Sequence, residues 1–179
     1  MGEGFLIVNP AKRQFLDAGR FGENNKRSGI LCSRHGSAVA LLILNTRQLY
    51  SVHPLVGSWV GDPVIAAGYF ASPDTAGIQT TSTTHPERNL YGLAWEEFED
   101  ISHQAIVMLC QESQGYADEF VTWTKQAPSF IVELGDIVFQ LGCPPLQEAL
   151  ERILGPTWAK EYKAACQSYY GRRLYHQRK

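Results

Sequence analysis

The sequence predicts a mixed fold of the α/β or α+β class, with a sheet in its N-terminal part and helices concentrated after residue 95. Short β-rich runs bounded by turn residues occur before residue 70, whereas apolar residues recur at helical spacing after residue 95. Hydrophobic residues make up 44% of the 179 residues and charged residues 19%, which is typical of a globular chain. We therefore expect a single domain over residues 1–179, with a helical C-terminal part from about residue 95.

Two apolar runs near the N-terminus predict the first strands. Phe5–Val8 is continuously apolar and is closed by Asn9-Pro10, so we expect a buried strand, from which Phe15-Leu16 continues a hairpin. Two further β-rich runs flank Gly61-Asp62-Pro63, where the glycine can supply the positive φ of a tight turn. The sequence therefore predicts a second hairpin near residues 55–70.

The segments on either side of that hairpin are less regular. Ser37 to Leu44 is apolar on all sides, and we expect a short helix after Gly36 that leads into a strand through Leu42–Leu44. Residues 72–89 contain proline, glycine and a run of five serine and threonine residues. This composition is typical of a mobile surface loop.

The second half of the chain carries the helical patterns. Apolar spacing predicts a helix over Glu96–Glu112, and Pro144–Pro156 opens with proline and closes with glycine and proline, as helices do. Thr157 can cap a following helix. Phe130–Leu141 fits either a helix or a hairpin turning at Gly135-Asp136, and we favour the helix.

The charge distribution is uneven although the net charge is only −2. Basic residues concentrate between Lys12 and Arg34 and in the C-terminal tail, and acidic residues between Glu87 and Glu119. Such asymmetry indicates either a docking surface for a charged partner or opposite faces that neutralise each other within the fold. The low overall charge disfavours nucleic acid as a partner.

The four cysteines, Cys32, Cys110, Cys143 and Cys166, lie far apart with no C-x-x-C pair, and no histidine pair has metal-ligand spacing. We therefore expect no metal and no cofactor. The most apolar stretch, Ala38–Leu44, is too short to cross a bilayer, and the first residues do not resemble a signal peptide. Free thiols in a reducing cytoplasm, without membrane attachment, are the simplest expectation.

An apolar run that ends in Arg34-His35-Gly36 resembles the signature of the histidine phosphatase superfamily. The resemblance implies that His35 accepts a phosphoryl group and that Arg34 clamps the phosphate oxygens. The sequence departs from that family because no second histidine is followed by a small residue, and because Phe5–Val8 already takes the place of the first strand. A small phosphoester hydrolase centred on these two residues is therefore the alternative function.

Polar residues after the first strand and in the second predicted hairpin form a candidate site for a small anionic ligand. Arginine and lysine beside amide groups can hold a phosphate or a carboxylate. The open alternative is a solvated loop and a structural turn. The candidate ligand-binding residues are Asn9, Lys12, Arg13, Arg20, Trp59 and Asp62.

The C-terminal tail mixes aromatic and basic residues, which are frequent anchors of protein interfaces. The same pattern fits a terminal helix docked on its own domain. The candidate interaction residues are Trp158, Tyr162, Tyr169, Arg172 and Arg173. Our leading hypothesis is a non-enzymatic binding or interaction module whose partner is another protein or a small anionic ligand; its oligomeric state stays open.

Two strings in the first half, Val8-Asn9-x-x-Lys12-Arg13-Gln14 and Gly57-Ser58-Trp59-Val60-Gly61-Asp62, are similar to a group of small proteins. In that group an N-x-x-K-R-Q segment follows a strand and a G-S-W-x-G-D hairpin comes later. Tyr69 stands where that group has an acidic residue. The resemblance implies no activity, but it implies that the two strings lie near each other in the fold.

Overall fold

The computed structural model describes residues 4–24, 26, 33–45, 53–77 and 89–176. These residues form a four-stranded mixed sheet and seven α-helices, so the predicted mixed fold is confirmed as α+β. They fall into two compact units, Met1–Met108 and Leu109–Lys179. The single domain expected from the chain length stays a prediction.

The elements are numbered along the chain. The strands are β1 (Phe5–Asn9), β2 (Gln14–Leu16), β3 (Ile65–Gly68) and β4 (Glu99–Asp100). The helices are α1 (Ser33–Leu42), α2 (Leu90–Glu97), α3 (Ser102–Glu112), α4 (Gln114–Trp123), α5 (Ile131–Asp136), α6 (Pro144–Leu154) and α7 (Trp158–His176).

The sheet has the strand order β3-β1-β2-β4 and confirms both predicted N-terminal strands. Strand β1 pairs antiparallel with β2 on one side and with β3 on the other, so Ile7 lies opposite both Leu16 and Ala66. The two-residue strand β4 runs parallel to β2. Because β1 is an inner strand with almost every residue buried, its continuous apolar run meets protein on both faces.

The prediction of a strand before Gly61, as the first half of the second hairpin, is wrong. Residues 54–61 form consecutive turns, and their amides bond to the end of α1: Gly57 N donates to Leu41 O at 2.8 Å and Trp59 N to Leu42 O at 2.8 Å. The last carbonyls of a helix need such partners. The second strand of the predicted hairpin is present as β3. It pairs with β1 and not with a strand before Gly61.

The strand predicted at Leu42–Leu44 is also wrong. The amides of the last two of these residues bond back to the carbonyls of Val39 and Leu41, which continues the helical turn. The chain then passes close to Gly57, where a Cβ would lie 2.8 Å from the Leu44 carbonyl oxygen. A glycine with φ of +72° is therefore required at that crossing.

The single helix predicted over Glu96–Glu112 is interrupted by β4. The Glu99 amide donates to the Arg13 carbonyl at 2.9 Å and the Ile101 amide to the Phe15 carbonyl at 3.1 Å. Pairing with β2 therefore ends α2 and separates it from α3. Only α3 confirms the predicted helix.

The predicted mobile loop over 72–89 begins with ordered structure. Ser72 caps a short 3₁₀ helix, Pro73–Ala76, which ends at Gly77 with φ of 66°. The Leu90 amide donates to the Ala71 carbonyl at 2.7 Å and so ties the start of α2 to this segment. Residues 78–88 lie outside the described part of the chain.

The core of the first unit lies between the sheet and α2. The sheet contributes apolar side chains from β1, β2 and β3, and the helix contributes one apolar face. The buried members are Leu6, Val8, Phe15, Ala67, Leu90, Leu93, Ala94 and Phe98.

The second unit is helical and confirms three predictions. The segment Phe130–Leu141 is helix and not hairpin, because α5 continues into a π-helical turn over Ile137–Leu141. Helix α6 begins at Pro144 and ends before Gly155, and α7 begins directly after Thr157. Helix α4 packs against α6, and α5 against α7. None of the described helices is both long and apolar enough to cross a bilayer.

Candidate functional site

The Arg34-His35 pair lies at the first turn of α1, where Glu23 holds the helix terminus. Glu23 Oε1 accepts from the Arg34 backbone amide at 2.9 Å and lies 3.3 Å from Arg34 Nε. Both side chains are nearly excluded from solvent. His35 is completely buried, with its ring edge-on to Phe21 at a centroid distance of 5.2 Å.

This arrangement stabilises the helix and does not present a nucleophile. Burial raises the pKa of Glu23, while the hydrogen bonds and positive charge of Arg34 act to lower it. The Arg34 guanidinium is thus already engaged by a carboxylate, and the His35 ring lies in the core. Both facts count against a phosphoester hydrolase centred here. Residues 29–32 of the same string lie outside the described chain.

The segment after β1 and the turn before β3, which were expected to lie near each other, are in contact. The side chain of Asn9, which is fully buried, donates from Nδ2 to Asp62 Oδ2 at 3.0 Å and accepts the Lys12 amide at Oδ1, also at 3.0 Å. Lys12 Nζ lies 3.8 Å from Asp62 Oδ2. A hydrogen bond and an ion pair therefore connect the turn after β1 to the turn before β3.

A second hydrogen-bonded chain runs beside the first. Trp59 is fully buried and donates from Nε1 to Gln14 Oε1 at 3.0 Å, and Gln14 Nε2 donates to Glu99 Oε2 at 2.9 Å. Buried indole N–H groups need such partners. We refer to Asn9, Lys12, Gln14, Trp59 and Asp62 as the polar turn cluster.

The two candidate arginines also have carboxylate partners within the first unit. Arg13, which has a left-handed φ of 53°, forms an ion pair with Glu97 and lies over the Phe98 ring. Arg20 Nε lies 3.4 Å from Asp100 Oδ2. The basic N-terminal segment is thus neutralised in part by the acidic segment, which was one of the two alternatives for the uneven charge.

The described part of the tail is docked within the second unit. Trp158 is buried, and its ring stacks with Phe139 at 5.6 Å. Tyr162 lies 5.2 Å from Phe139, centroid to centroid, and its hydroxyl donates to Asp136 Oδ1 at 2.8 Å. A Cβ on Gly135 would overlap the Tyr162 ring. We call Phe139, Trp158 and Tyr162 the closed aromatic cluster.

The remaining candidate interaction residues, Tyr169, Arg172 and Arg173, lie on α7. Their side chains lie outside the described part of the structure, so their role as an interaction surface stays a prediction. The two described members, Trp158 and Tyr162, make the contacts of a docked helix.

A different surface, which sequence reasoning missed, exposes large aromatic side chains in the first unit. Phe70 is 89% exposed, Tyr69 45% and Trp95 40%. The Tyr69 and Tyr91 rings lie 4.4 Å apart, and Tyr91 is followed by Trp95 at 6.4 Å. We call Tyr69, Phe70, Tyr91 and Trp95 the aromatic patch.

Secondary structure explains how the aromatic patch forms. Tyr69 and Phe70 directly follow β3, and Tyr91 and Trp95 are four residues apart on α2, so they share one helix face. The Phe15 ring supports Trp95 from the core side at 4.9 Å. The i, i+4 spacing of the tyrosine and tryptophan was the available signal, but it has meaning only if α2 is known to be a helix.

No family model, curated protein or solved structure matches this chain. Among the residues that the structure describes, no three histidine, cysteine, aspartate or glutamate side chains form a group that could hold a metal ion.

Proposed function

We propose that this protein is a non-enzymatic interaction module that binds another protein through its aromatic patch. The observation that carries the proposal is the exposure of three large aromatic side chains on neighbouring elements, above all Phe70 at 89%. Aromatic residues are enriched at the energetic centres of protein interfaces, because one ring removes a large apolar area from water.

The candidate ligand-binding residues differ from the aromatic patch because their charged groups already have partners within the protein. In the polar turn cluster Lys12 is paired with Asp62, and Arg13 and Arg20 are paired with carboxylates elsewhere in the unit. Binding an anion there would require breaking these contacts. A small anionic ligand stays a prediction, and no observation favours it over a protein partner.

Two acidic residues close in sequence to members of the aromatic patch suggest the chemistry of its partner. Asp74 lies four residues after Phe70, and Glu96 directly follows Trp95; both carboxylate side chains are exposed. We infer that the partner presents an apolar or aromatic side chain flanked by lysine or arginine, because opposite charges steer association and set register.

We also infer a cytoplasmic location. Cys110, Cys143 and Cys166 are free thiols, which is the usual state of cysteine in a reducing compartment. Fractionation of the host cell, with detection of the untagged protein, tests this inference; recovery from an oxidising compartment would contradict it.

Site-specific photo-cross-linking tests the interaction. A photoreactive phenylalanine analogue replaces Phe70 in the host cell, and the cross-linked protein is identified and purified. The matched control carries the analogue at Phe139, which is 57% exposed but belongs to the second unit. We expect one discrete partner, or a second copy of this chain, to be captured at position 70 and not at position 139.

Binding of the purified partner then provides the quantitative test. We expect Phe70→Ala and Trp95→Ala each to raise the Kd at least about tenfold, because truncation of an interface anchor commonly costs more than 1 kcal/mol. Val60→Ala, another exposed apolar residue of the first unit, should leave the Kd unchanged. Equal Kd values for all three variants and the unmodified protein would refute the proposal.

A further inference from the structure

Arg13 holds an unusual backbone conformation in the turn between β1 and β2. It is the only non-glycine residue with a positive φ among the residues that the structure describes. At φ of 53° a residue with a Cβ is strained, whereas glycine adopts this conformation freely. Such strain persists where the surrounding contacts offset it, and it is frequent at functional sites. The contacts of the arginine side chain therefore indicate its role.

The Arg13 side chain contacts the C-terminal end of α2. Its guanidinium forms an ion pair with the Glu97 carboxylate and lies over the Phe98 ring, 5.1 Å from the ring centroid. Glu97 is the last residue of α2, and Phe98 is its C-cap. One side chain therefore holds two consecutive residues at the point where the helix ends.

Backbone hydrogen bonds hold the same region from β2. The Arg13 carbonyl accepts the Glu99 amide at 2.9 Å, and the Phe15 carbonyl accepts the Ile101 amide at 3.1 Å. Both bonds accompany the parallel pairing of β2 with β4. A helix of eight residues is marginal by itself, so contacts of this kind decide where α2 ends and how its last turn is oriented.

Trp95 of the aromatic patch lies in that last turn. Its side chain is 40% exposed, and the Phe15 ring contacts it at a centroid distance of 4.9 Å. Glu97 and Phe98 follow it by two and three residues, so holding them fixes the rotation of the last turn about the helix axis. Because the direction of the Trp95 side chain follows that rotation, the contacts of Arg13 influence which way the indole faces.

We propose that Arg13 is a positioning residue of the aromatic patch, which orients Trp95 towards the partner by holding the end of α2. The proposal explains why arginine occupies a conformation that glycine would adopt without strain. It rests on the proposed function, because that function makes the patch a binding surface. The orientation of Trp95 can nevertheless be measured without a partner.

A residue that only stabilises the fold predicts a different result for Arg13→Gly. Glycine relieves the backbone strain, and an exposed ion pair contributes little to stability, so the free energy of unfolding should change little. The orientation of Trp95 should be lost all the same, because the side-chain contacts with α2 are gone. A change in orientation at unchanged stability is therefore the signature of a positioning role.

Fluorine NMR of the full chain labelled with fluorotryptophan measures the orientation of Trp95. The chain has four tryptophans, and Trp95→Phe identifies the Trp95 resonance by its disappearance. We expect Arg13→Gly to shift or broaden that resonance and to leave the other tryptophans in place. Arg13→Lys should restore it, because lysine retains a positive charge that can lie over the Phe98 ring. An unchanged Trp95 resonance in Arg13→Gly would overturn the proposal.

Arg20→Ala is the matched control. Arg20 belongs to the same basic segment and is also ion-paired, but its partner is Asp100 of β4 and not a residue of α2. Its removal should leave the Trp95 resonance unchanged, and a shift as large as that of Arg13→Gly would overturn the assignment to Arg13. If Arg13→Gly does not fold, Glu97→Gln replaces it, because this variant removes the charge that Arg13 holds.

Binding of the partner captured at Phe70 separates this inference from the proposed function. We expect Arg13→Gly to raise the Kd about threefold to fivefold, and to have no further effect in a Trp95→Ala background. Arg13→Lys should bind like the natural chain. An unchanged Kd in Arg13→Gly, with a raised Kd in Phe70→Ala, would refute the positioning role alone. If Phe70→Ala and Trp95→Ala both leave the Kd unchanged, the proposed function fails, and the Trp95 resonance decides the positioning role.

Discussion

The two aromatic clusters of this protein have similar chemistry, but their central rings differ in how far they are buried. In the closed aromatic cluster, Trp158 is only 4% exposed and the Tyr162 hydroxyl is bonded to Asp136. In the aromatic patch, the rings also lie side by side, yet Phe70 remains 89% exposed. Gly135 explains part of the difference, because its missing side chain lets α7 lie directly on α5. Aromatic composition alone therefore does not distinguish rings that dock a helix on its own unit from rings that face solvent.

The largest expected effect on stability comes from removing the centre of the closed aromatic cluster. Trp158→Ala should lower the free energy of unfolding by about 3–5 kcal/mol, because a buried indole is lost and a cavity remains. Urea unfolding followed by circular dichroism measures the change. Leu141→Ala is the matched control, since Leu141 is exposed in the same unit. A loss below about 1 kcal/mol for Trp158→Ala would show that the cluster is not part of the core.

A smaller effect on the free energy of unfolding is expected when a side chain is added at Gly135, next to the Tyr162 ring. Gly135→Ala should lower the free energy of unfolding by about 1–3 kcal/mol, because the added methyl group overlaps the Tyr162 ring. In a Tyr162→Ala background the same substitution should cost nothing, or should stabilise the helix by up to about 1 kcal/mol.

A double-mutant cycle measured by urea unfolding isolates this coupling. Equal effects of Gly135→Ala in both backgrounds would mean that the glycine does not position α7.

The Tyr162 hydroxyl gives a pH-dependent test of the closed aromatic cluster. Burial, together with the hydrogen bond to Asp136, raises the pKa of Tyr162 above its ordinary value of 10.0. The folded chain therefore holds this proton more tightly than the unfolded chain, so the stabilisation is complete below pH 10 and is lost as pH rises further.

Tyr162→Phe should cost about 1 kcal/mol at neutral pH, because it removes the hydrogen bond to Asp136. The difference between the variant and the natural chain should shrink above pH 10. Urea unfolding at several pH values measures it, and a difference that grows with pH would contradict the assigned shift.

The smallest effect on stability is expected in the aromatic patch. Phe70→Ala should change the free energy of unfolding by less than about 0.5 kcal/mol, because its ring is already in water in the folded protein. The same variant should lose the proposed partner. Thermal unfolding and binding assays on one sample separate the two effects, and a large loss of stability would place Phe70 in the core.

One of the candidate sites could be predicted from local sequence patterns, and another could not. The polar N-terminal segment and the Trp59–Asp62 turn were expected to lie together, and the Asn9–Asp62 hydrogen bond confirms it. The environment of Arg34 and His35 could not be predicted from the residues next to them in the sequence. Their environment is set by Glu23 and Phe21, which precede them by more than ten residues, so no local string reveals it.

Elements whose signals are local can be predicted from the amino-acid sequence alone. The continuous apolar run of β1, the helix-opening Pro144 and the stop at Gly155 each restrict the backbone through their own side chains, and all three predictions are confirmed. The remaining elements are set by long-range contacts. Whether the amides of residues 54–61 bond to a strand or to the end of α1, and whether Glu99–Asp100 continues a helix or joins β2, depends on partners distant in sequence.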